Sequence, residues 1–541
     1  MVYNRIDTHF FSSRRFFYWL GTVLFSVIVL GPFILLLIST TKDLFRVGAE
    51  WLSLAIPSGR RLDIFLRSLG LALSVAIGAM IVGIFLASFL WQKRGRLWLY
   101  IRWFVLLLIA IPPYVHALAW MSTVGFIEGG LRSFGLSVLP FRGVFASWWV
   151  QLMALLPISI GMSLLGLETV NAEFIEASRM MKPDFETFKK VIFPLGAPLI
   201  LAGGGIVFLL SLTDYSVPSL FQVNVYSLEI FAEFSASNEP GRAFLLAVPL
   251  LLITFIVMTF SQSRLRNAAL KPVRLSKQEN MSMSWPSWFL AGQWLGIMIL
   301  AFQAFVPLMA LMVKTGSLET FYKTGVSAYR EIGFTFWNSI LAALICLPLA
   351  FPVALNLGRK DRSGKFWWIL VTLPLAIPAP LIGIGLILLF NRPILGFLYN
   401  SPVMIVFASL ARFLPLAALI FLAQLRRIDP LLLDAARILQ KNPLKTWIYI
   451  RLPMIFPGII AAMCIMFIFS AGELGATLIV IPPGISTLTI RIYNYLHYGA
   501  SEVVAGLCLM MSAAALFAAA AAALILHSWK RLVSLWRAKH S

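Results

Sequence analysis

Three charged residues stand in sequence that is apolar on both sides, and their chemistry demands a role: Asp214, Arg412 and Glu473. An ionised group within hydrocarbon is expensive, so it faces a bundle interior or a water-filled path and takes a partner. Two roles suit them. Asp214 and Glu473 fit a pseudo-twofold axis at a translocation path or its gate, and Glu473 equally fits a structural pair with Arg412 from the preceding apolar block. His116, in IPPYVHALAW (111–120), reads as a hydrogen-bonding residue at a helix interface before it reads as a ligand. Tyr493, Tyr495, His497 and Tyr498 form an aromatic group at the end of a block. That is first an interfacial belt, although its oxygen and imidazole groups also suit a metal ion.

A second feature occurs twice. Residues 176–194 read EASRMMKPDFETFKKVIFP and residues 434–453 read DAARILQKNPLKTWIYIRLP. Each has an acidic residue, two small residues, Arg, a basic amphipathic stretch and a closing Pro. Twenty residues after Pro194 and after Pro453 come Asp214 and Glu473, and Ile111-Pro112 is echoed by Ile377-Pro378. The offset between copies drifts only from 266 to 259 along these landmarks. Several landmarks in one order point to internal duplication. Each loop predicts a short helix lying across a membrane face. Its small pair, Ala177-Ser178 or Ala435-Ala436, lets another backbone approach, and its charges suit the surface of a soluble partner.

The elements that position these residues are membrane helices. The 541 residues are 60% hydrophobic and 12% charged, with a mean hydropathy of +0.88; a soluble surface needs about twice that charge. Apolar blocks of roughly 20 residues match the thickness of hydrocarbon, and the block 504–526 lacks the alternation that a barrel strand requires. Spans are expected at 17–40, 65–90, 98–123, 146–167, 195–217, 242–262, 288–313, 336–357, 366–390, 402–424, 455–480 and 504–527. The fold class is therefore all-α polytopic, with about twelve helices in two pseudo-repeats. Pro-rich stretches within 111–120 and 373–383 predict kinks. The first block is too long for a cleavable signal peptide and reads as the first span.

The net charge of +22 would suggest nucleic acid in a soluble chain. Here the basic residues are scattered over short loops, mostly on one side, which places both termini in the cytoplasm. Lys42, Arg46, Arg60, Arg61 and Arg67 run against that rule. The basic, polar segment 263–287 reads as a cytoplasmic linker between a first half (1–262) and a second half (288–541). Cys346, Cys464 and Cys508 all lie in apolar blocks and read as small buried hydrophobes. No Gly-x-x-x-x-Gly-Lys-Ser/Thr phosphate loop occurs, so ATP hydrolysis by that route falls to a partner. No catalytic constellation is visible.

With these motifs in place, the sequence resembles the permeases of binding-protein-dependent ATP-binding-cassette importers. The duplicated loops are similar to that family's "EAA" loop: Glu-Ala-Ala, three residues, Gly, nine residues, Ile-x-Leu-Pro. The resemblance implies that Glu176, Ala177, Ser178, Arg179 and Pro194, and Asp434, Ala435, Ala436, Arg437 and Pro453, belong to two coupling helices that dock on an ATPase. The family's Gly is Gln440 in the second copy, and the first copy is one residue short with Lys182 nearest that position. The turn that Gly permits is therefore expected to differ.

Two six-span halves in one chain resemble the fused permeases for ferric iron and for thiamine. The stretch GELGATLIVIPPGISTLTIRIYNYLHYG (472–499) is most similar to iron(III)-type permeases, and also to molybdate and sulfate permeases. The resemblance implies a type I importer permease in a bacterial inner membrane, working by alternating access. Its partners would be two copies of an ATPase subunit carrying ATP and Mg, a periplasmic binding protein and the bilayer, with no nucleic acid. Ferric iron leads the solutes, ahead of thiamine, molybdate or sulfate, phosphonate and polyamine. No cofactor is expected in this chain, and no metal site is assigned. The rival class is an ion-coupled secondary transporter, which also uses twelve spans and repeats but has no use for twin docking loops.

Overall fold

A computed structural model describes residues 15–540, apart from 94, 135–140, 270–282, 429–430, 432–434, 436–437, 439–442 and 498–501. Among the described residues there is no strand. Ten helices are long and apolar enough to cross a membrane, and two bent pairs bring the number to twelve when each counts as one span. We number them in chain order: Phe16–Arg46, Trp51–Gln92, Leu97–Ala110 with Pro113–Ser133, Gly143–Glu168, Asp184–Thr213, Pro240–Asn267, Ser287–Thr315, Tyr329–Leu357, Arg362–Ala376 with Ala379–Phe390, Val403–Leu425, Trp447–Ala471 and Glu502–Trp529. Most of the expected linker lies outside the described residues.

Spans three and nine are broken rather than merely kinked, bending by 95° and 108°. The residue before a proline is pushed out of the helical region. Ile111 (φ −84°, ψ 116°) and Ile377 (φ −84°, ψ 128°) are accordingly extended. Pro113 and Pro380 then sit in the first turn of the next helix, where a missing N–H breaks no helical bond. Spans five and eleven differ from expectation at both ends. Each opens through a π-helical turn, Phe188–Ile192 or Trp447–Arg451, just before Pro194 or Pro453. Proline offers no N–H to the carbonyl four residues back, so the bonding pattern shifts there. Each then stops early, at Thr213 and Ala471, in place of the expected 217 and 480.

Spans two, four and five pack together, as do spans eight, ten and eleven. The leading span of each half crosses over: span one lies against spans eight and nine, and span seven against spans two and three. Polar ties mark both crossings. Tyr18 donates its hydroxyl to Asn356 (2.5 Å), and Gln293 donates to Ser88 Oγ (3.0 Å). At Gly385 the backbones come so close that a Cβ would stand 2.4 Å from the Pro32 carbonyl oxygen.

Several basic residues on the expected outer side are ion-paired. Arg60 pairs with Glu229 (2.8 Å), Arg61 with Glu233 (3.5 Å) and Arg491 with Glu331 (2.6 Å). At the opposite end Asp361 caps span nine. The Gly364 N–H (2.9 Å), and then the Arg359 guanidinium (2.8 Å), hold its carboxyl below the usual carboxylate range. All three cysteines are free thiols.

The crossing of span one predicts that Gly385→Val lowers the melting temperature of the detergent-solubilised chain, since overpacking a close contact costs about 1–3 kcal/mol. Gly396→Ala, where nothing lies within 4 Å, is the control. Equal melting of both variants would remove the crossing as a source of stability.

Candidate functional site: a pseudo-twofold seam and its docking loops

Asp214 and Glu473 do not lie within helices. Each occupies the break where span five or span eleven ends, and each holds the turn that follows. Ser216 donates its N–H (2.9 Å) and hydroxyl (2.6 Å) to Asp214 Oδ1, and Val217 N–H reaches Oδ2 (3.4 Å). The N–H groups of Ala476 and Thr477 donate to the two oxygens of Glu473 (2.9 and 2.8 Å), joined by the Thr477 hydroxyl. A carboxylate accepting from the first N–H groups of a turn satisfies donors that lipid cannot.

A polar residue of the preceding span completes each arrangement. Gln151 donates to Asp214 Oδ2 (3.0 Å) and accepts the Ser211 hydroxyl (2.6 Å). At the matching place Arg412 donates to Glu473 Oε1 (2.7 Å), and Ser470 donates to Ser409 (2.9 Å). The structure thus brings Arg412 and Glu473 together as an ion pair, with Glu473 buried and Arg412 partly exposed. In the first half the same position holds a neutral amide.

The two breaks meet along the seam between halves. A Cβ on Gly472 would stand 3.0 Å from Pro112, and one on Gly475 would stand 3.6 Å from the Tyr215 ring and 3.7 Å from Arg412. Tyr215 is buried among the charges of Glu473, Arg412 and Asp214. Of the expected aromatic group, Tyr493 hydrogen-bonds Ser219 across the seam, and Tyr495 is exposed and faces Arg491 (5.5 Å). The His497 side chain and Tyr498 lie outside the described residues. His116 is fully buried, yet neither ring nitrogen has a hydrogen-bond partner among the described residues, contrary to the expected interface bond. Its place in the turn after the Pro112 break sets it among apolar neighbours.

A small polar cavity adjoins Glu473, lined by Thr335, Asn338, Ser339, Ser470, Thr487 and Thr489 and with room for about one water. Two of the ties at the breaks carried no visible signal in sequence. Ser68 Oγ accepts the Tyr226 N–H (2.8 Å), and Thr335 Oγ1 accepts the Leu488 N–H (2.9 Å). Single hydroxyls in apolar blocks become legible only once the repeat is aligned. Among the described residues, no three His, Cys, Asp or Glu side chains could together hold a metal ion.

The first of the duplicated loops holds a two-turn helix, Ala172–Arg179. Its Ile175 is buried among Trp91, Leu167, Phe188 and Ile192, while Glu176, Ala177 and Arg179 face out. Ser178 bonds Thr187 across the loop (3.1 Å) and Arg179 pairs with Asp184 (2.8 Å). No left-handed residue is needed in place of the missing Gly. Met180 stays right-handed (φ −67°), and Pro183 (φ −58°) redirects the chain. Met180 and Met181 are left 89% and 85% exposed. Pro194 opens the straight part of span five and is exposed; Pro453 opens that of span eleven and is half-buried. Asp434, Ala436 and Arg437 lie outside the described residues, and Ala435 is helical and exposed.

The family described as "Binding-protein-dependent transport system inner membrane component" matches residues 79–262 and 346–536, the two repeats without their crossing spans. The chain belongs to this family. As a multi-pass inner-membrane component it is similar to the Fe(3+)-transport system permease protein FbpB 2 of Haemophilus influenzae, at 24% identity over 81% of this chain and 84% of that protein. It is also similar to the ferric transport system permease protein FbpB of Actinobacillus pleuropneumoniae, at 22% identity over 87% and 72%. The molybdate/tungstate permease WtpB of Thermococcus kodakarensis is 30% identical over 40% of this chain and 89% of its own. Membership in this family argues against the ion-coupled class.

The pairing in this component predicts that Arg412→Met is strongly destabilising, by about 3–5 kcal/mol, because it leaves the buried Glu473 charge alone. Arg412→Met with Glu473→Gln should recover much of that loss, and Gln151→Met should cost less. Thermal unfolding in detergent measures all three; an Arg412→Met protein that melts with the wild type would show that the pair carries no stability.

Proposed function

We propose that this chain is the translocating subunit of an importer that takes ferric iron from a periplasmic binding protein and is driven by two ATPase copies docked at 176–194 and 434–453. The observation that carries the docking reading is the first loop itself. It presents a short helix with Glu176, Ala177 and Arg179 exposed and two methionines almost bare, at the end of the span that terminates in Asp214. Apolar side chains so exposed mark a protein contact. The sequence supplies a second such loop and no phosphate-binding loop, so the energy source is a partner.

The ferric assignment rests on relatives aligned over most of the chain and named for ferric transport, against a molybdate/tungstate relative aligned over 40% of it. Thiamine, molybdate or sulfate, phosphonate and polyamine are the alternatives within the family. Both termini face the cytoplasm with the loops. In the mechanism, ATPase closure moves the two loops together, spans five and eleven carry that movement to Asp214 and Glu473, and the seam opens to one side at a time. The carboxylates hold the breaks of the gate in both states.

Copurified with its ATPase and supplied with an iron(III)-loaded binding protein, the complex should show stimulated ATP hydrolysis. Binding proteins loaded with molybdate or thiamine should not stimulate it. Replacing Glu176 and Asp434 together by Ala should lower uptake by about tenfold or more, as expected when roughly 1.4 kcal/mol of docking is removed, with membrane insertion intact. Normal uptake by that variant would sink the docking assignment, and stimulation by another solute would replace iron.

A further inference from the structure

The first docking loop is gripped by a segment from the other half of the chain. Asp184, at the start of span five, accepts the Ser284 N–H (2.7 Å) and hydroxyl (3.1 Å) on Oδ2, while Arg179 of the docking helix donates to Oδ1 (2.8 Å). One carboxylate therefore joins the docking helix, span five and the entry to span seven. Aromatic rings extend the grip. Trp285 stacks on Phe289 (centroids 4.4 Å apart, 13°) and meets Phe188 edge-on (5.0 Å). Phe289 also contacts Phe185 (5.7 Å), Phe188 (5.5 Å) and Phe85 of span two (5.0 Å).

Span seven runs on from this cluster. It lies against span two near Ser88 and packs along spans three and twelve. It is thus fastened to the first docking loop at one end and lies, along its length, between spans two and three of the first half and span twelve of the second. In the second loop the position matching Asp184 is not a carboxylate. The short helix Asp184–Thr187 corresponds to Pro443–Thr446, each directly ahead of its π-helical turn, so Pro443 stands where Asp184 does. Proline can neither accept these bonds nor pair with an arginine.

We propose that residues 283–289 are a coupling strut, through which displacement of the first docking loop passes via Asp184 and the Trp285–Phe289 stack directly into span seven. The two docking loops are therefore mechanically unequal. The first moves span five and span seven together, and the second lacks the carboxylate that would make the same tie. Asp184 is a positioning residue in this scheme. Charge-assisted hydrogen bonds are the strong ones, and stacked aromatic pairs hold their geometry, so the strut transmits movement without needing the covalent linker to be taut. The proposal rests on the docking reading given above.

The test uses the full chain with its ATPase in nanodiscs, with iron(III)-loaded binding protein as the probe. Trp285→Ala should keep the ATPase bound and hydrolysing while maximal uptake per ATP falls by about tenfold, and Asp184→Asn should show the same fall in uptake per ATP hydrolysed, the equivalent of one lost charge-assisted bond. The concentration for half-maximal uptake should not move. Asp184→Glu and Trp285→Phe should restore most of the uptake, which a merely folding-related defect would not predict. If Trp285→Ala fails to accumulate, Asp184→Asn and Trp285→Phe still decide the matter. Wild-type uptake per ATP in Asp184→Asn overturns the strut and leaves the docking reading standing. A wild-type chain that recruits no ATPase overturns the docking reading, and the strut falls with it.

Discussion

A helix that stops inside hydrocarbon leaves donors and acceptors that no solvent will satisfy. Spans five and eleven stop there, and Asp214 and Glu473 accept the orphaned N–H groups of the turns that follow. Those turns form the seam between the halves, so the geometry of the seam depends on the two carboxyl groups being held in place. The breaks in spans three and nine are satisfied more simply. Proline removes the donor at the point where the helical bond is lost, and the next helix begins at once.

The second shared constraint is the crossing of spans one and seven. Each half fills part of the other's packing, so the pseudo-dimer cannot separate into two bundles without exposing Gly385 and the polar pairs Tyr18–Asn356 and Gln293–Ser88. Relative movement of the halves must then be a tilt that carries the crossed span along. Span seven, tied at one end to the first loop and packed between spans two and three and span twelve, is well placed to convey such a tilt.

The halves are copies in outline and differ in charge at the points where function concentrates. Gln151 faces Asp214 where Arg412 faces Glu473. A buried ion pair is seldom the most stable choice for a core, and the neutral pairing in the first half does the same capping. The ion pair therefore places a fixed dipole on one side of the seam only. Asp184 against Pro443 repeats the pattern at the docking loops. The two frames are alike in outline and unequal in charge at these points.

The twelve spans, the duplicated loops and the intramembrane carboxylates were legible in the sequence, because hydrocarbon demands long apolar blocks and any exception to them is conspicuous. Ile111-Pro112 and Ile377-Pro378 were legible as landmarks, and their bends follow from the local sterics of proline. Other features depended on which residues are neighbours in space. Nothing in the apolar alternation around residues 16–46 says that this span packs on the opposite half. Nothing local to Ser284 says that it binds Asp184, 100 residues away. Both of the roles weighed for Glu473 agree with its sequence, and it was the fold that set Arg412 within 2.7 Å and made it a paired cap. Sequence by itself determined which segments enter the membrane, since transfer free energy is summed residue by residue along the chain. The tertiary structure alone decided which charges, rings and hydroxyls meet, since those bonds form between residues that only packing brings together.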